Sequence, residues 1–534
     1  MRLLAIVALL CGFAGPVAAA EGKPNIVVIL VDDMGFSDLG CYGSEIPTPN
    51  LDKLAANGLR FTQFYNTARC CPSRAALLTG LYSHQAGVGH MIEDKGVPGY
   101  RGRLNDRCVT IAEVLRPAGY FTAMTGKWHV GQERGVAPWN RGFDRSLNAA
   151  AGGFYFADSP RAELFLNGRK LALDAPELPK NWYVTDLWTD FGIKFIDEAR
   201  VAEKPFFLYL AHNAPHFPLQ APQPEIAMFR GKYRAGWDKL REQRHAKQIE
   251  LGIMDKSWPL SPRPPQVKPW DSLAAAEQDR FDHLMAIYAA CVAHMDTAVG
   301  RLVAALQQRG VLDNTLILFM SDNGGNAESG PNGRAEGNPL GSGKSDVYCG
   351  QSWATLENTP LRRYKHFNHE GGIATPLIAH WPSGIRARGE LRSQPGHLID
   401  LMATCVDVAG AKYPTEFDGQ PIPPMEGRSL RPAFANQPIQ RDALFWEHEG
   451  NAAVRVDQWK LVRLGRNGPW ELYNLEADRT ELHDLADTQP ERVKELAVKW
   501  EAWAERAQVK PYPPANPQGK QGNANKPAKA TNEK

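Results

Sequence analysis

The 534-residue chain carries 61 Lys plus Arg against 59 Asp plus Glu, a formal charge of +2 at pH 7. Hydrophobic residues make up 43% and charged residues 22%, enough for a sizeable core, which excludes wholesale disorder. The near balance of charge gives no support to a nucleic-acid or polyanion binder, and the length predicts one large α/β unit with an appendage, or about two to four units.

The chain opens on an address. Arg2, the apolar run Leu3 to Ala14 and the small residues Ala18-Ala19-Ala20 follow the pattern of a secretory signal peptide over residues 1–20, cleaved after Ala20. The expectation is an exported protein, periplasmic or secreted. No later stretch reaches the ~18 uninterrupted apolar residues of a membrane span. Export puts Cys41, Cys70, Cys71, Cys108, Cys291, Cys349 and Cys405 where disulfides can form. They are too sparse to act as the scaffold, and their odd number leaves at least one over.

Continuous apolar runs then recur, each ending in polar residues. Asn25–Val31 meets Asp32-Asp33-Met34-Gly35, and Tyr120–Thr125 meets Gly126-Lys127-Trp128-His129. Phe206–Leu210 meets His212 and Ala214-Pro215-His216, and Thr315–Met320 meets Ser321-Asp322-Asn323-Gly324-Gly325. Such runs suit strands buried on both faces of a mostly parallel sheet covered by helices. Functional crevices in these sheets lie beyond the carboxyl ends of the strands, so the polar clusters are expected to converge.

Between the last two runs, Arg230 to Trp270 is rich in Lys, Arg and Pro and reads as a partly helical surface excursion. Ala274 to Gln308 predicts a long helix, with Leu284, Tyr288, Cys291, Met295, Val299, Leu302 and Leu306 spaced by three and four and Gly310 as the stop. His283 and His294 on it read as ordinary helix residues.

Near residue 440 the pattern shifts to short strands at Ala443–Trp446, Ala453–Val456, Trp459–Val462 and Trp470–Tyr473. Thr488-Gln-Pro-Glu491 predicts a capping box opening a helix that runs to about Gln508. The expected organisation is a main unit over 21–440, an antiparallel sheet plus helix over 441–512 and a disordered tail over 513–534.

The chemistry centres on Cys70-Cys71-Pro72-Ser73-Arg74-Ala75-Ala76-Leu77-Leu78-Thr79-Gly80. Alone, the pair of cysteines also admits a vicinal or long-range disulfide at a helix start. With the strand-end clusters, the chain resembles the type I sulfatases of the alkaline-phosphatase superfamily, most like the bacterial arylsulfatases. The resemblance runs from Asn25 through the C-terminal sheet. It implies an α/β fold with a large, mostly parallel or mixed central sheet sandwiched by helices, and a smaller C-terminal α+β domain with an antiparallel sheet.

The resemblance further implies that a maturation enzyme oxidises Cys70 to formylglycine (3-oxoalanine), with Cys71 at the variable position. There is a chemical reason for an aldehyde. A serine would give a sulfate ester that water must break at sulfur, whereas a hydrated aldehyde attacks through one hydroxyl and expels sulfate through the other. Asp32, Asp33, Asp322 and Asn323 match the family's metal site. These hard oxygen donors suit Ca²⁺ and, less often, Mg²⁺.

By the same resemblance, Arg74 and Lys127 orient the diol, Asp322 serves the attacking hydroxyl as base and His129 deprotonates the second hydroxyl. His216 and Lys365, with Lys127, bind the sulfate, and His216 and Lys365 protonate the leaving oxygen. His366 is a close rival to Lys365, Arg362-Arg363 reads equally as surface charge, and His212 receives no role. The implied activity is hydrolysis of sulfate monoesters, aryl sulfates first. The alternatives are a phosphonate or phosphate monoester hydrolase of the same superfamily, or a non-catalytic sulfate-binding protein if Cys70 is not matured. Trp128, Phe154 and Tyr155 are equally pocket or packing residues, and no residue fixes the natural substrate.

Overall fold

The computed structural model describes residues 22–514 apart from Arg134. The expected signal peptide and nearly all of the expected tail lie outside the described residues. The central sheet has eleven strands. Across it run Glu390–Arg392, Leu59–Tyr65, Ala374–His380, Thr315–Ser321, Asn25–Val31, Phe206–Ala211, Phe121–Lys127 and Arg145–Ala149, then the short pair Phe165–Leu166 and Arg169–Lys170, while Gly396–His397 pairs beside Leu59–Tyr65. Asn25–Val31 pairs in parallel with both Phe206–Ala211 and Thr315–Ser321. Ala374–His380 alone among the central strands runs against its neighbours, Leu59–Tyr65 and Thr315–Ser321.

Direction decides what the sheet can present. The parallel strands end at one edge, and there they deliver Asp32, Lys127, His212 and Asp322. The reversed strand begins at that edge, with Ala374 opposite Tyr65. The loop before it, which carries Lys365, therefore reaches the same crevice as residues that follow the other strands.

Strand residues of even and odd number bury opposite faces. Val27, Ile29, Val31, Leu208, Leu210, Ile317 and Phe319 pack beneath the helices Val184–Val201 and Ala275–Gln308. Ile26, Val28, Leu30, Phe207, Tyr209, Leu316 and Leu318 pack on the other side against Cys70–Thr79 and Asp400–Ala409. Ala275–Gln308 is long and apolar enough to cross a membrane by composition, but its apolar stripe lies in this core.

The four C-terminal strands pair antiparallel in sequence order, as expected. They share the first of these cores through Leu444, Trp446 and Val454, and the helix Pro490–Arg506 joins it through Trp500. A buried ion cluster joins them to the main sheet: Lys460 Nζ lies 2.9 Å from Glu370 and 2.8 Å from Glu481, and Tyr65 donates to Glu370 at 3.0 Å.

One expectation is corrected and one refined. The final helix is Pro490–Arg506 with Gln489 at its N-cap and no side-chain cap; Thr488 donates instead to the Leu485 carbonyl, so the capping box does not form. The Arg230–Trp270 segment is partly helical and largely at the surface, as expected, but it is anchored in the interior. Its helix Gly236–Glu250 buries Trp237, Arg241 and Arg244, and Arg244 grips Asp38 at 2.7 Å and Glu45 at 2.7 Å. All seven described cysteines are free thiols.

Candidate active site

Cys70 is the first residue of a ten-residue helix in which every side chain is buried. Ala75, Leu77 and Leu78 seat it on the sheet, and Gly80, at φ 69°, ends it in the left-handed conformation. Its amino end, where unpaired N–H groups gather positive potential, faces the crevice. Cys70 Sγ stands 3.5 Å from His129 Nδ1.

Lys127 arrives from the end of its own strand. Gly126 before it has no Cβ, and one there would lie 1.8 Å from the Ala211 carbonyl oxygen, so only glycine lets the two strands meet. Lys127 Nζ lies 2.6 Å from Asp32 Oδ2. Arg74 donates to the Lys127 carbonyl at 2.9 Å and to Asp322 Oδ2 at 2.8 Å, and stands 3.4 Å from Asp32. Asp33 Oδ1 takes Lys365 Nζ at 2.7 Å and Asn323 Nδ2 at 2.7 Å, while Asn326 donates to its Oδ2 at 2.6 Å. His216 Nε2 lies 3.6 Å from Asp33 Oδ2. Every sequence-predicted site residue thus falls in one constellation.

Several of the left-handed non-glycine residues lie here. Asp33, Ala68, His129 and His366 adopt φ of 67°, 63°, 59° and 82°. Left-handed non-glycine residues cost on the order of 1–3 kcal/mol each and persist where surroundings hold them. Three of the four are predicted site residues or abut Lys365.

The electrostatics follow from burial and opposed charge. Burial pushes Asp32 up, but Lys127, His216 and Arg74 outweigh it and hold the carboxyl below its usual range. Burial and the charge of Asp32 push Asp322 well up. The hydrogen bond from Cys71 is the largest influence lowering the Cys70 thiol; burial opposes it, and Lys127 and His129 lower it further. Burial and the Lys127 charge push His129 down to about 4, so near pH 7 the ring is neutral with one nitrogen unprotonated.

Two buried oxygens, Asp32 Oδ1 and Asn323 Oδ1, have no hydrogen-bond partner. Unpaired buried acceptors are costly, and both belong to the expected metal set. The donor set, three carboxylates and an amide oxygen, fits a hard divalent cation.

A cavity of about 220 Å³ opens over these groups, lined by Arg69, Cys70, Lys127, His129, His216 and Lys365 among others. A larger hollow of about 350 Å³ lies elsewhere, walled by Tyr413, Ile422, Met425 and Arg428; it gathers no catalytic set. Lys365 is the residue turned into the crevice, whereas His366 points to Glu328 and Glu449. Arg362 is no loose surface charge: it donates to Glu471 at 2.8 Å and to the Glu481 carbonyl at 2.7 Å.

Trp128, Phe154 and Tyr155 are core residues, Tyr155 donating to the His216 carbonyl at 2.8 Å. Sequence reasoning missed Asn326, which holds Asp33, and Arg69, which stands beside Cys70 on the cavity wall. His212 is buried with both ring nitrogens unpaired, and burial lowers it to about 3.

The family model described as Sulfatase matches residues 24–411, and one described as N-sulphoglucosamine sulphohydrolase, C-terminal, matches residues 363–506. An arylsulfatase of Klebsiella aerogenes is 36% identical over 436 residues, covering 78% of this chain and 93% of that protein. An uncharacterized sulfatase of Schizosaccharomyces pombe is 34% identical, covering 90% of this chain and 93% of its own length. The crystal structure of Ps i-CgsB in complex with k-i-k-neocarrahexaose superposes with a TM-score of 0.67 at 30% identity, covering 90% of this chain and 93% of that one. With most of its length matched in this way, the chain belongs to the sulfatase family and is a sulfuric ester hydrolase.

Proposed function

We propose that the protein is an exported sulfatase of aryl sulfate monoesters, active once a formylglycine-generating enzyme has converted Cys70. One observation carries this reading: Cys70 heads a buried helix with Sγ 3.5 Å from His129, among Arg74, Lys127 and the Asp32 and Asp322 carboxylates. The Cys70 Cβ is the carbon that would carry the aldehyde. Its hydrate supplies two hydroxyls on one carbon, one to attack sulfur and one to release sulfate.

Asp32, Asp33, Asp322 and Asn323 would hold the cation, Ca²⁺ before Mg²⁺. It supplies positive charge against the sulfate oxygens. Lys127 and Arg74 fix the carboxylates on one side of Cys70. His129 Nδ1 faces the Cys70 side chain and accepts a proton there. His216 and Lys365, both at Asp33, bind sulfate oxygens and return a proton to the leaving oxygen.

The aryl preference is supported by the Klebsiella arylsulfatase. The neocarrahexaose complex of a 30% identical structure supports carbohydrate sulfates as the second reading. A phosphonate monoester hydrolase of Agrobacterium radiobacter shares the fold at 20% identity and a TM-score of 0.57, which leaves phosphoryl substrates to be tested. Side-by-side hydrolysis of nitrophenyl sulfate, nitrophenyl phosphate and sulfated oligosaccharides decides among them, and phosphate turnover exceeding sulfate turnover overturns the proposal. Peptide mass spectrometry of active enzyme should show Cys70 lighter by about 18 Da, the change from thiol to aldehyde. An intact thiol at full activity contradicts the aldehyde.

A further inference from the structure

We propose that His366, His448 and Glu449, with His90 beside them, form a second cation site suited to a borderline transition metal of the Zn²⁺ class. One ligand atom from each of the first three lies within 4.8 Å of the others. They come from different parts of the chain: His366 from the loop that carries Lys365, His448 from the end of a C-terminal strand, and Glu449 from the turn that follows.

His448 is the pointer. Its side chain is fully buried, and neither ring nitrogen has a hydrogen-bond partner. Its Nε2 stands 3.6 Å from Glu449 Oε1, too far for a hydrogen bond and suitable for two ligands of one ion. A buried imidazole with both nitrogens idle is a desolvation cost with no return, which coordination removes.

The surroundings fit. His366 Nδ1 lies 2.9 Å from Glu449 Oε2, and its Nε2 lies 3.0 Å from Glu328 Oε1. A carboxylate on the far nitrogen is the usual partner of a metal-bound histidine, fixing tautomer and ring direction. His90 Nε2 stands 3.4 Å from Glu449 Oε1, and its ring stacks on His448 at 5.6 Å between centroids. Two imidazoles and one carboxylate make a three-donor set that Zn²⁺ accepts with water in its fourth, tetrahedral position, and His90 packs beside it. This set differs in kind from the all-oxygen group around Asp32.

The opposing charges are Arg69, which touches the His366 ring and pairs with Glu328 at 2.9 Å, and Lys365, 3.6 Å from Glu328. Glu328 and Glu449 bring two negative charges against these two positive ones, and Lys365 is also held by Asp33 at 2.7 Å. The competing arrangement is a protonated His366 held between Glu328 and Glu449, with no metal.

Co²⁺ distinguishes the two. Titrated into the untagged, calcium-saturated full chain, it should give the strong visible absorption of a four-coordinate ion at one equivalent, displaced by Zn²⁺. The band should persist in Cys70→Ala, which removes the separate Cys70, Cys71 and His129 thiol cluster as its source. It should vanish in His448→Gln and in Glu449→Gln; Glu449 is partly exposed, so that variant carries the test if the buried one does not fold. Saturable uptake unchanged in Glu449→Gln, or no saturable uptake at micromolar Co²⁺, overturns the site whatever the protein's activity on sulfate esters.

Discussion

Arg74 and Asp322 meet at 2.8 Å with both side chains wholly buried, across 248 residues of sequence. The guanidinium also holds the Lys127 carbonyl, so one side chain ties the Cys70 helix to two strand ends. Lysine has a single ammonium and does not span this fork. Arg74→Lys should lower kcat for nitrophenyl sulfate by about 10²-fold, the usual loss for one preorganised donor. Steady-state kinetics checks this, and a change in KM alone argues against the role.

Cys70→Ala removes the proposed nucleophile and little packing. Turnover should fall to background while the thermal midpoint stays within a few degrees, because the lost contact is one sulfur at a helix start. Calorimetry beside the activity assay separates the two effects. Cys70→Ser, with one hydroxyl in place of two, should accumulate a sulfated enzyme visible by intact mass.

The unpaired oxygens of Asp32 and Asn323 stand where the proposed cation would need acceptors. Asp322→Ala should lose both calcium, measured by elemental analysis of dialysed protein, and activity. Because these ligands are buried, chelator should inactivate the wild type over minutes or longer rather than at once. Full calcium retention in the variant argues against ligation.

His294 sits between Asp186 at 3.1 Å and Glu225 at 2.8 Å, with Arg301 also on Asp186. Burial pulls its pKa down, but the two carboxylates outweigh burial and raise it to about 9. The folded value lies above the unfolded value of about 6.5, so the stabilisation is complete below pH 6.5 and fades as pH rises through 9. Wild type should exceed His294→Gln by roughly 2–3 kcal/mol at pH 6 and by little at pH 10, read from urea denaturation.

Much of the fold was legible because buried parallel strands write continuous apolar runs, as at Asn25–Val31 and Thr315–Ser321. Two central strands were not. Leu59–Tyr65 carries Arg60, Thr62 and Gln63 among its apolar residues, and Ala374–His380 contains Pro376, where the register shifts against its partner. Proline and polar interruptions mask a strand that tertiary pairing then enforces. The site was legible where motif and strand end coincide, from Asp32 to His216. Asn326 and Glu328 carry no such mark, since what places them is the folding of one loop over Asp33.

Lys460 lies wholly buried between Glu370 and Glu481. Lys460→Met takes the lysine from Glu481 and leaves Glu370 with Arg479 at 3.4 Å, and should cost roughly 3–5 kcal/mol, measurable as a lowered urea midpoint.

The same lysine bears on any attempt to cut the molecule near residue 440. Glu370 belongs to the segment that follows Lys365, and Lys460 to the antiparallel sheet, so the two portions complete each other's charge and share one apolar interior. Expressed apart, the larger fragment would keep an orphaned anion behind the loop that carries Lys365. Chimeras that graft a foreign carboxyl-terminal half should fail unless donor and recipient agree on that handshake.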